Sequence, residues 1–338
     1  MRCFQTAAIH PSSGDEKNRT QSIRPLGYSL GCPKRALWPQ MMENNGRDSQ
    51  PSAVIMLLGT YEGRRTFVPD MKIRVGGNSL AVRVHRGKES AILLIHGNSS
   101  CKEIFRHQET YLMRRGHTVI IPDLPGHGSS SDAVAPTSTY SFPGYAAALK
   151  GVMDHLGIAS FHVIGWSLGG HIGIEMWSRM RAVRSLLISG TPPIRLSPAG
   201  VADGFLPSPV MDLAGKRDFT PADVTAYGSA MLGKPLDRGS CLAAMIERTD
   251  GRARYWMVRN GLAERGKDEI AAVARCAKPL AIVQGRRDAF VRIEHVRKLT
   301  YRHLWLHRPI LMDAGHAAHW ESPDAFNRWM GRFLKYVD

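Results

Sequence analysis

The segment Phe161-His162-Val163-Ile164-Gly165-Trp166-Ser167-Leu168-Gly169-Gly170-His171-Ile172-Gly173 constrains this chain more than any other. An apolar run of strand type enters Gly-x-Ser-x-Gly and leaves as a helical continuation. A strand that turns into a helix at a serine leaves no room for side chains on either flank, and Gly165 and Gly169 supply that space. The turn puts Ser167 at a helix N-terminus, where unpaired backbone N–H groups and the helix dipole favour developing negative charge. Gly-x-Ser-x-Gly alone arises by chance, so its weight comes from this placement and from the residues that accompany it.

From about Thr66 onward, short apolar strands alternate with longer helical segments, the pattern of a mainly parallel sheet with helices on both faces. Strands are expected at Met71 to Val75, Leu80 to His85, Ala91 to His96, Thr118 to Pro122, Phe161 to Gly165, Ser185 to Ser189, Leu280 to Gln284 and Pro309 to Met312. The first two should form an antiparallel hairpin around Gly76-Gly77-Asn78. Between Thr191 and about Ala277 the rhythm stops, and Pro-rich turns lead into helical segments such as Pro221 to Leu232 and Leu242 to Arg248. This stretch reads as an inserted lid over residues 191–277, dividing a core of residues 66–190 and 278–338. Residues 1–65 show no period of 2 or 3.6 and are rich in Ser, Pro, Gly, Asn and Arg. They read as an extension, either a disordered tail or the product of an upstream start, with Met56 or Met71 beginning the real protein.

At 338 residues and 43% hydrophobic, the chain can bury one substantial core. The formal charge of +16 raises nucleic acid or an anionic membrane as partner. Its distribution argues otherwise, because pairs such as Arg64-Arg65, Arg114-Arg115 and Arg286-Arg287 lie scattered between apolar segments and form no basic tail. A solvated basic surface, with no specific nucleic acid and no membrane, is expected. Cys3, Cys32, Cys101, Cys241 and Cys276 are an odd number without a Cys-x-x-Cys pair, which fits a reducing cytoplasm. Met1 to His10 lacks the apolar core of a signal peptide, and no apolar run near the N-terminus is long enough to span a bilayer.

A serine hydroxyl is a poor nucleophile at neutral pH; it needs a histidine within hydrogen-bond reach and a carboxylate to fix that imidazole's tautomer. The order Ser, acid, His then selects Asp288, in the loop after strand Leu280 to Gln284, and His316, in the loop after strand Pro309 to Met312. Asp313 is the rival carboxylate and His319 the rival base. His316 is preferred because it follows the small pair Ala314-Gly315 at a strand end, whereas His319 would open the next helix. Two preorganised N–H donors must meet the carbonyl oxygen as it becomes an oxyanion, and the candidates are the N–H groups of Asn98 and Leu168. The Asn98 side-chain amide is a further candidate donor. His96, before a glycine at a strand end, reads as structural, and His127 in Asp123-Leu124-Pro125-Gly126-His127-Gly128-Ser129 as a hydrogen-bonded loop residue of a turn that braces the oxyanion loop. Gly97 is expected at the substrate pocket, and Trp166 and Trp320 are expected to line or support it, with core packing as the alternative for Trp320. No metal or other cofactor is called for: His316-x-x-His319 alone is weak evidence for zinc.

Together, His96-Gly97-Asn98, the Pro125 to Ser129 loop, Gly-Trp-Ser-Leu-Gly, Asp288 and Gly315-His316 resemble the α/β-hydrolase superfamily from roughly Thr66 to the C-terminus. The resemblance implies an α/β-hydrolase fold, with an eight-stranded, mostly parallel sheet flanked by helices and a helical lid inserted after strand six. His96 to Ser100, Gly165 to Met176, Ser189 to Pro193 and Arg248 to Arg254 are similar, more closely, to the metal-independent N-acyl-homoserine lactonases of this fold. That family opens the lactone ring with a serine nucleophile, using an oxyanion asparagine and a lid tyrosine that touches substrate. By this resemblance the asparagine falls on Asn98 and the tyrosine on Tyr227. The chain departs from the family in its long N-terminal extension, in an aspartate at the acid position where glutamate is the rule, and in Ala289 where a proline follows the acid. The function expected is ester or lactone hydrolysis through an acyl-enzyme, with a small-molecule N-acyl-homoserine lactone as the leading substrate. General carboxylester, other acyl or carbon–carbon bond hydrolysis is the alternative within the fold, and a non-catalytic sensor of small apolar ligands is the alternative outside catalysis.

Overall fold

Eight strands form one sheet in the computed structural model, which describes residues 69–338. The expected extension over residues 1–65 lies outside the described residues. The strands are β1 (Met71–Val75), β2 (Asn78–His85), β3 (Glu89–Ile95), β4 (His117–Pro122), β5 (Phe161–Trp166), β6 (Val183–Ser189), β7 (Leu280–Gly285) and β8 (Ile310–Met312), in the spatial order β1-β2-β4-β3-β5-β6-β7-β8. β2 pairs antiparallel with both β1 and β4, and every other pairing is parallel. All eight expected strands are present. Val75 pairs with Asn78 across Gly76 and Gly77, whose φ angles of 54° and 84° give the doubly left-handed turn that a two-residue hairpin requires.

The central strands are apolar almost throughout because both faces of the sheet are covered. β3 shows this residue by residue: Leu93 and Ile95 belong to one core and Ile92 and Leu94 to the other, and all four are fully buried. The first core packs under helices Phe142–His155 and Leu168–Arg179, the second under Arg106–Met113 and Pro323–Val337. Each such side chain taken from water contributes roughly 1.5–3 kcal/mol.

Between β6 and β7 the chain leaves the sheet for a run of helices from Pro198 to Arg275, including Pro221–Leu232 as expected and Cys241–Arg248 one residue longer than expected. Their starts are written in the sequence. Ser197, Ser208, Thr220, Ser240, Asp250 and Asp268 each accept an N–H of the first turn, and Thr220 with Asp223 completes a reciprocal capping box. This helical insertion is tied to the core at chosen points. Arg254, buried in helix Gly251–Leu262, donates to the carbonyls of Lys216 and Arg217 at 2.8 and 2.9 Å and to Ser99 Oγ at 3.3 Å. Asp250 accepts the Tyr140 hydroxyl at 2.6 Å, and its N–H donates to Gly126 O at 2.9 Å. Among the described residues, no helix is long and apolar enough to cross a membrane.

Candidate active site

Ser167 occupies the N-cap of helix Leu168–Arg179 with φ 54° and ψ −121°, a left-handed backbone that a serine adopts only when its surroundings impose it. The restraints are plain. Ser167 N–H donates to Ser189 O at 2.8 Å, and Thr191 Oγ1 donates to Ser167 O at 2.9 Å. A Cβ on Gly165 would run into the carbonyl of Gly169, and one on Gly169 into the carbonyl of Ile95, both closer than real Cβ atoms approach. The two glycines therefore permit the helix to start hard against the strand ends.

Two loops reach the same rim from β7 and β8. Arg286 N–H donates to Met312 O at 2.8 Å and Arg287 N–H to Ala314 O at 2.9 Å, so the loops are laced together before they deliver Asp288 and His316. His316 Nδ1 lies 2.9 and 2.8 Å from the two carboxylate oxygens of Asp288. Asp288 also accepts from Gln284 Nε2 at 2.7 Å and from the N–H groups of Phe290 and Val291 at 2.8 and 3.1 Å. Burial works against its charged form, but the His316 charge and these donors outweigh burial and hold the carboxyl below the usual carboxylate range. With Asp288 ionised, Nδ1 of His316 carries the proton and Nε2 offers its lone pair. Trp166 Nε1 donates to His316 O at 2.9 Å, and the Phe290 ring packs 4.7 Å from the imidazole, centroid to centroid.

Gln284 carries no motif, yet it links the ends of β6 and β7: its Nε2 holds Asp288 while its Oε1 accepts Gly190 N–H at 3.1 Å. The signal available in the sequence is a single amide at the end of an otherwise apolar buried strand. Glu321 was equally silent. Its carboxylate accepts Gly315 N–H at 2.9 and 3.0 Å, beside His316, and Ala317 N–H donates to Met231 O at 3.1 Å, which joins the histidine loop to helix Pro221–Leu232.

The rivals separate cleanly. Asp313 faces solvent and pairs with Arg287. His319 is fully buried against Phe105 and Trp166, its ring nitrogens have no hydrogen-bond partner among the described residues, and burial lowers its pKa to about 3. His96 accepts Leu124 N–H on Nε2 at 2.9 Å and holds Gly97 O through Nδ1 at 2.8 Å; burial lowers its pKa to about 4. His127 Nδ1 lies 3.0 Å from Pro125 O. Asp123 accepts Lys102 N–H at 2.8 Å, Lys102 Nζ at 2.7 Å and Ser129 N–H at 2.8 Å, which ties the turn after β4 to the segment after β3. Cys101, Glu103 and Asp123 bring metal-type donor atoms close together, but the Lys102 ammonium already pairs with both carboxylates.

Ser167, His316, Asn98, Leu168 and Tyr227 line one cavity of about 310 Å³, whose remaining wall is mostly apolar, with Phe142, Ile194, Leu196, Phe205, Met257 and Phe290 among its residues. Leu168 is the first residue of its helix, so its N–H has no acceptor within the helix. The Asn98 amide is already engaged at the cavity wall: Nδ2 donates to Ala214 O at 2.9 Å and to the Tyr227 hydroxyl at 3.3 Å. It therefore joins the loop after β3 to the insertion. Tyr227 is buried, and burial pushes its pKa up to about 12, so the phenol keeps its proton. Gly97 and Trp166, expected at the pocket, are not part of its wall. Trp166 alternates onto the opposite face of β5 and packs behind His316, and Gly97 is glycine because a Cβ would meet the Trp166 ring at 2.9 Å.

A hydroxyl held on a strained turn, sharing a cavity with an imidazole already bonded to a carboxylate, suits the splitting of acyl bonds by water, and fold and site together put the protein among the hydrolases. The chain belongs to the alpha/beta hydrolase family, whose model matches residues 92–329. It is 39% identical to the N-acyl homoserine lactonase AidH, solved with N-hexanoyl homoserine lactone, over 79% of this chain and 98% of that one, with a TM-score of 0.75. It is 27% identical over 296 residues to a 2-hydroxy-6-oxononadienedioate/2-hydroxy-6-oxononatrienedioate hydrolase of Pseudomonas sp, over 81% of this chain and 98% of the relative. The enol-lactonase of Burkholderia xenovorans LB400, at 20% identity over 78% of this chain and 100% of that one with a TM-score of 0.64, shares the fold.

Proposed function

We propose that the protein opens the lactone ring of N-acyl-homoserine lactones through an acyl-enzyme. Ser167 Oγ attacks the lactone carbonyl as His316 Nε2 takes its proton, and Asp288 holds the imidazole in the tautomer that leaves Nε2 free. The Asn98 and Leu168 N–H groups receive the oxyanion. His316 then returns the proton to the ring oxygen, which stays attached to the acyl group as the homoserine hydroxyl. Water activated by His316 attacks the Ser167 ester and releases the N-acyl homoserine. No metal takes part. Residues 191–277 act as a lid, with Tyr227 presenting its hydroxyl to the substrate and Asn98 tying lid to oxyanion loop.

The observation that carries this function is the shared cavity: Ser167 and His316 face the same apolar space as Asn98 and Tyr227, and His316 is bonded to both oxygens of Asp288. The 39% identity to a lactonase supports the substrate class. The shorter acid is accommodated because the backbone bonds of Arg286 and Arg287 draw its loop onto β8 and the residues before His316.

Carbon–carbon bond hydrolysis is favoured by the 27% identical relatives, whose named substrates are dicarboxylates. The cavity weighs against it, since its wall includes Asp212 and neither lysine nor arginine to receive a second carboxylate. Ring opening of butanoyl, hexanoyl and decanoyl homoserine lactones, followed by proton release, tests the assignment beside p-nitrophenyl esters. Lactone turnover lost in Ser167→Ala is expected; activity confined to the esters rejects the lactonase function.

A further inference from the structure

His171 lies in the first turn of the helix that Ser167 caps and lines the same cavity. It is 5% exposed. Its Nδ1 lies 2.9 and 3.0 Å from the two oxygens of Glu269, a buried carboxylate that also accepts Ile194 N–H at 3.0 Å. Phe142 stacks on the imidazole with ring centroids 5.1 Å apart and planes 4° from parallel. Carboxylate and phenyl ring thus fix its orientation from two sides. Nε2 has no hydrogen-bond partner among the described residues, yet it is not sealed in protein as the orphan nitrogens of His319 are. It is the ring atom left to face the cavity.

The wall around it is apolar, formed by Phe142, Ile194, Leu196 and Phe205. A plain alkyl chain in that space strips water from Nε2 and returns no hydrogen bond, which is costly for a polar atom in an apolar setting. An oxygen on the chain restores it. We propose that His171 is a specificity-determining residue and that the substrate's acyl arm carries a hydroxyl or keto oxygen that hydrogen-bonds its Nε2. This rests on the function assigned above. With Nδ1–H donated to Glu269, Nε2 accepts from a hydroxyl; a doubly protonated ring, balanced by the Glu269 charge, donates to a ketone. Four helical residues advance about 6 Å. The oxygen tested is therefore on the third carbon of the acyl chain, five bonds from the attacked carbonyl and about that far along an extended chain.

The test compares octanoyl, 3-hydroxyoctanoyl and 3-oxooctanoyl homoserine lactones on wild type and His171→Asn. The asparagine keeps a donor for Glu269 and lacks an atom at the Nε2 position. Wild type should favour at least one oxygenated chain by about tenfold in kcat/KM, the worth of one good hydrogen bond. His171→Asn should lose that preference, read as the ratio of oxygenated to plain chain within the same variant whatever its absolute octanoyl rate. A wild-type ratio near one for both oxygenated chains, or a preference that survives in His171→Asn, overturns the proposal. If His171→Asn does not fold, the ¹⁵N resonance of His171 Nε2 in Ser167→Ala decides: it should move with the favoured oxygenated lactone and stay with the octanoyl compound, and equal shifts overturn the proposal. Wild type that opens no lactone refutes the functional assignment instead, and p-nitrophenyl octanoate against 6-hydroxyoctanoate then puts the same question to His171.

Discussion

Replacing Asp288 by asparagine changes almost no volume and rewrites the hydrogen bonding around it. Oδ1 accepts the N–H groups of Phe290 and Val291 at 2.8 and 3.1 Å, so the amide oxygen of an asparagine must take that place. Its NH2 then replaces Oδ2, which now accepts from Gln284 Nε2 at 2.7 Å and sits 2.8 Å from His316 Nδ1. Gln284 cannot turn its own oxygen toward the new donor without giving up Gly190 N–H, held at 3.1 Å. His316 Nδ1 must become the acceptor, which moves the ring proton to Nε2, where it blocks deprotonation of Ser167. An enzyme with the wrong tautomer loses about 10⁴-fold in kcat, or about 5.4 kcal/mol at 1.36 kcal/mol per decade. The donor left facing Gln284 adds about 1–3 kcal/mol of destabilisation. Steady-state ester and lactone kinetics with a thermal melt measure both effects. Asp313→Asn is the control, since Asp313 is exposed and paired with Arg287; it should leave kcat within a factor of two. A folded Asp288→Asn enzyme within tenfold of wild type, or a collapse in Asp313→Asn, would refute the assignment of the acid.

Three further outcomes follow from the same structure. Gly169→Ala drives a methyl into the carbonyl of Ile95, and a loss of soluble protein or a fall in stability of at least about 3 kcal/mol is expected in a denaturant melt; a neutral result would show that the elbow can open. His96, His127 and His319 are buried, with pKa values lowered from 6.5 to about 4, 3 and 3. Below pH 6.5 the unfolded chain therefore binds protons that the native protein refuses, and stability falls by up to about 4 kcal/mol per pH unit between pH 6 and 4; chemical denaturation at pH 7 and 5 checks this, and a flat profile contradicts it. A fluorophosphonate probe should label wild type and not Ser167→Ala, whereas an unlabelled wild type would favour a sensor over an enzyme.

The strand positions and the two glycines flanking Ser167 were legible in the sequence because each is decided locally. Burial on both faces writes an apolar run, and a helix that starts hard against strand ends demands glycine where backbones nearly touch. The choice of Asp288 over Asp313 and of His316 over His319 was not local. Asp288 and Asp313 each follow a strand end, of β7 and β8, His316 and His319 lie three residues apart after β8, and only the lacing of the β7 and β8 loops buries one carboxylate against one imidazole, leaving Asp313 in solvent and His319 among aromatic rings. Trp166 was misplaced at the pocket for a similar reason: adjacency to Ser167 in sequence says nothing about the opposite face to which strand alternation sends its ring. Gln284, Glu321 and Glu269 had no motif to announce them, because each acts by accepting or donating across elements that meet only when the sheet closes.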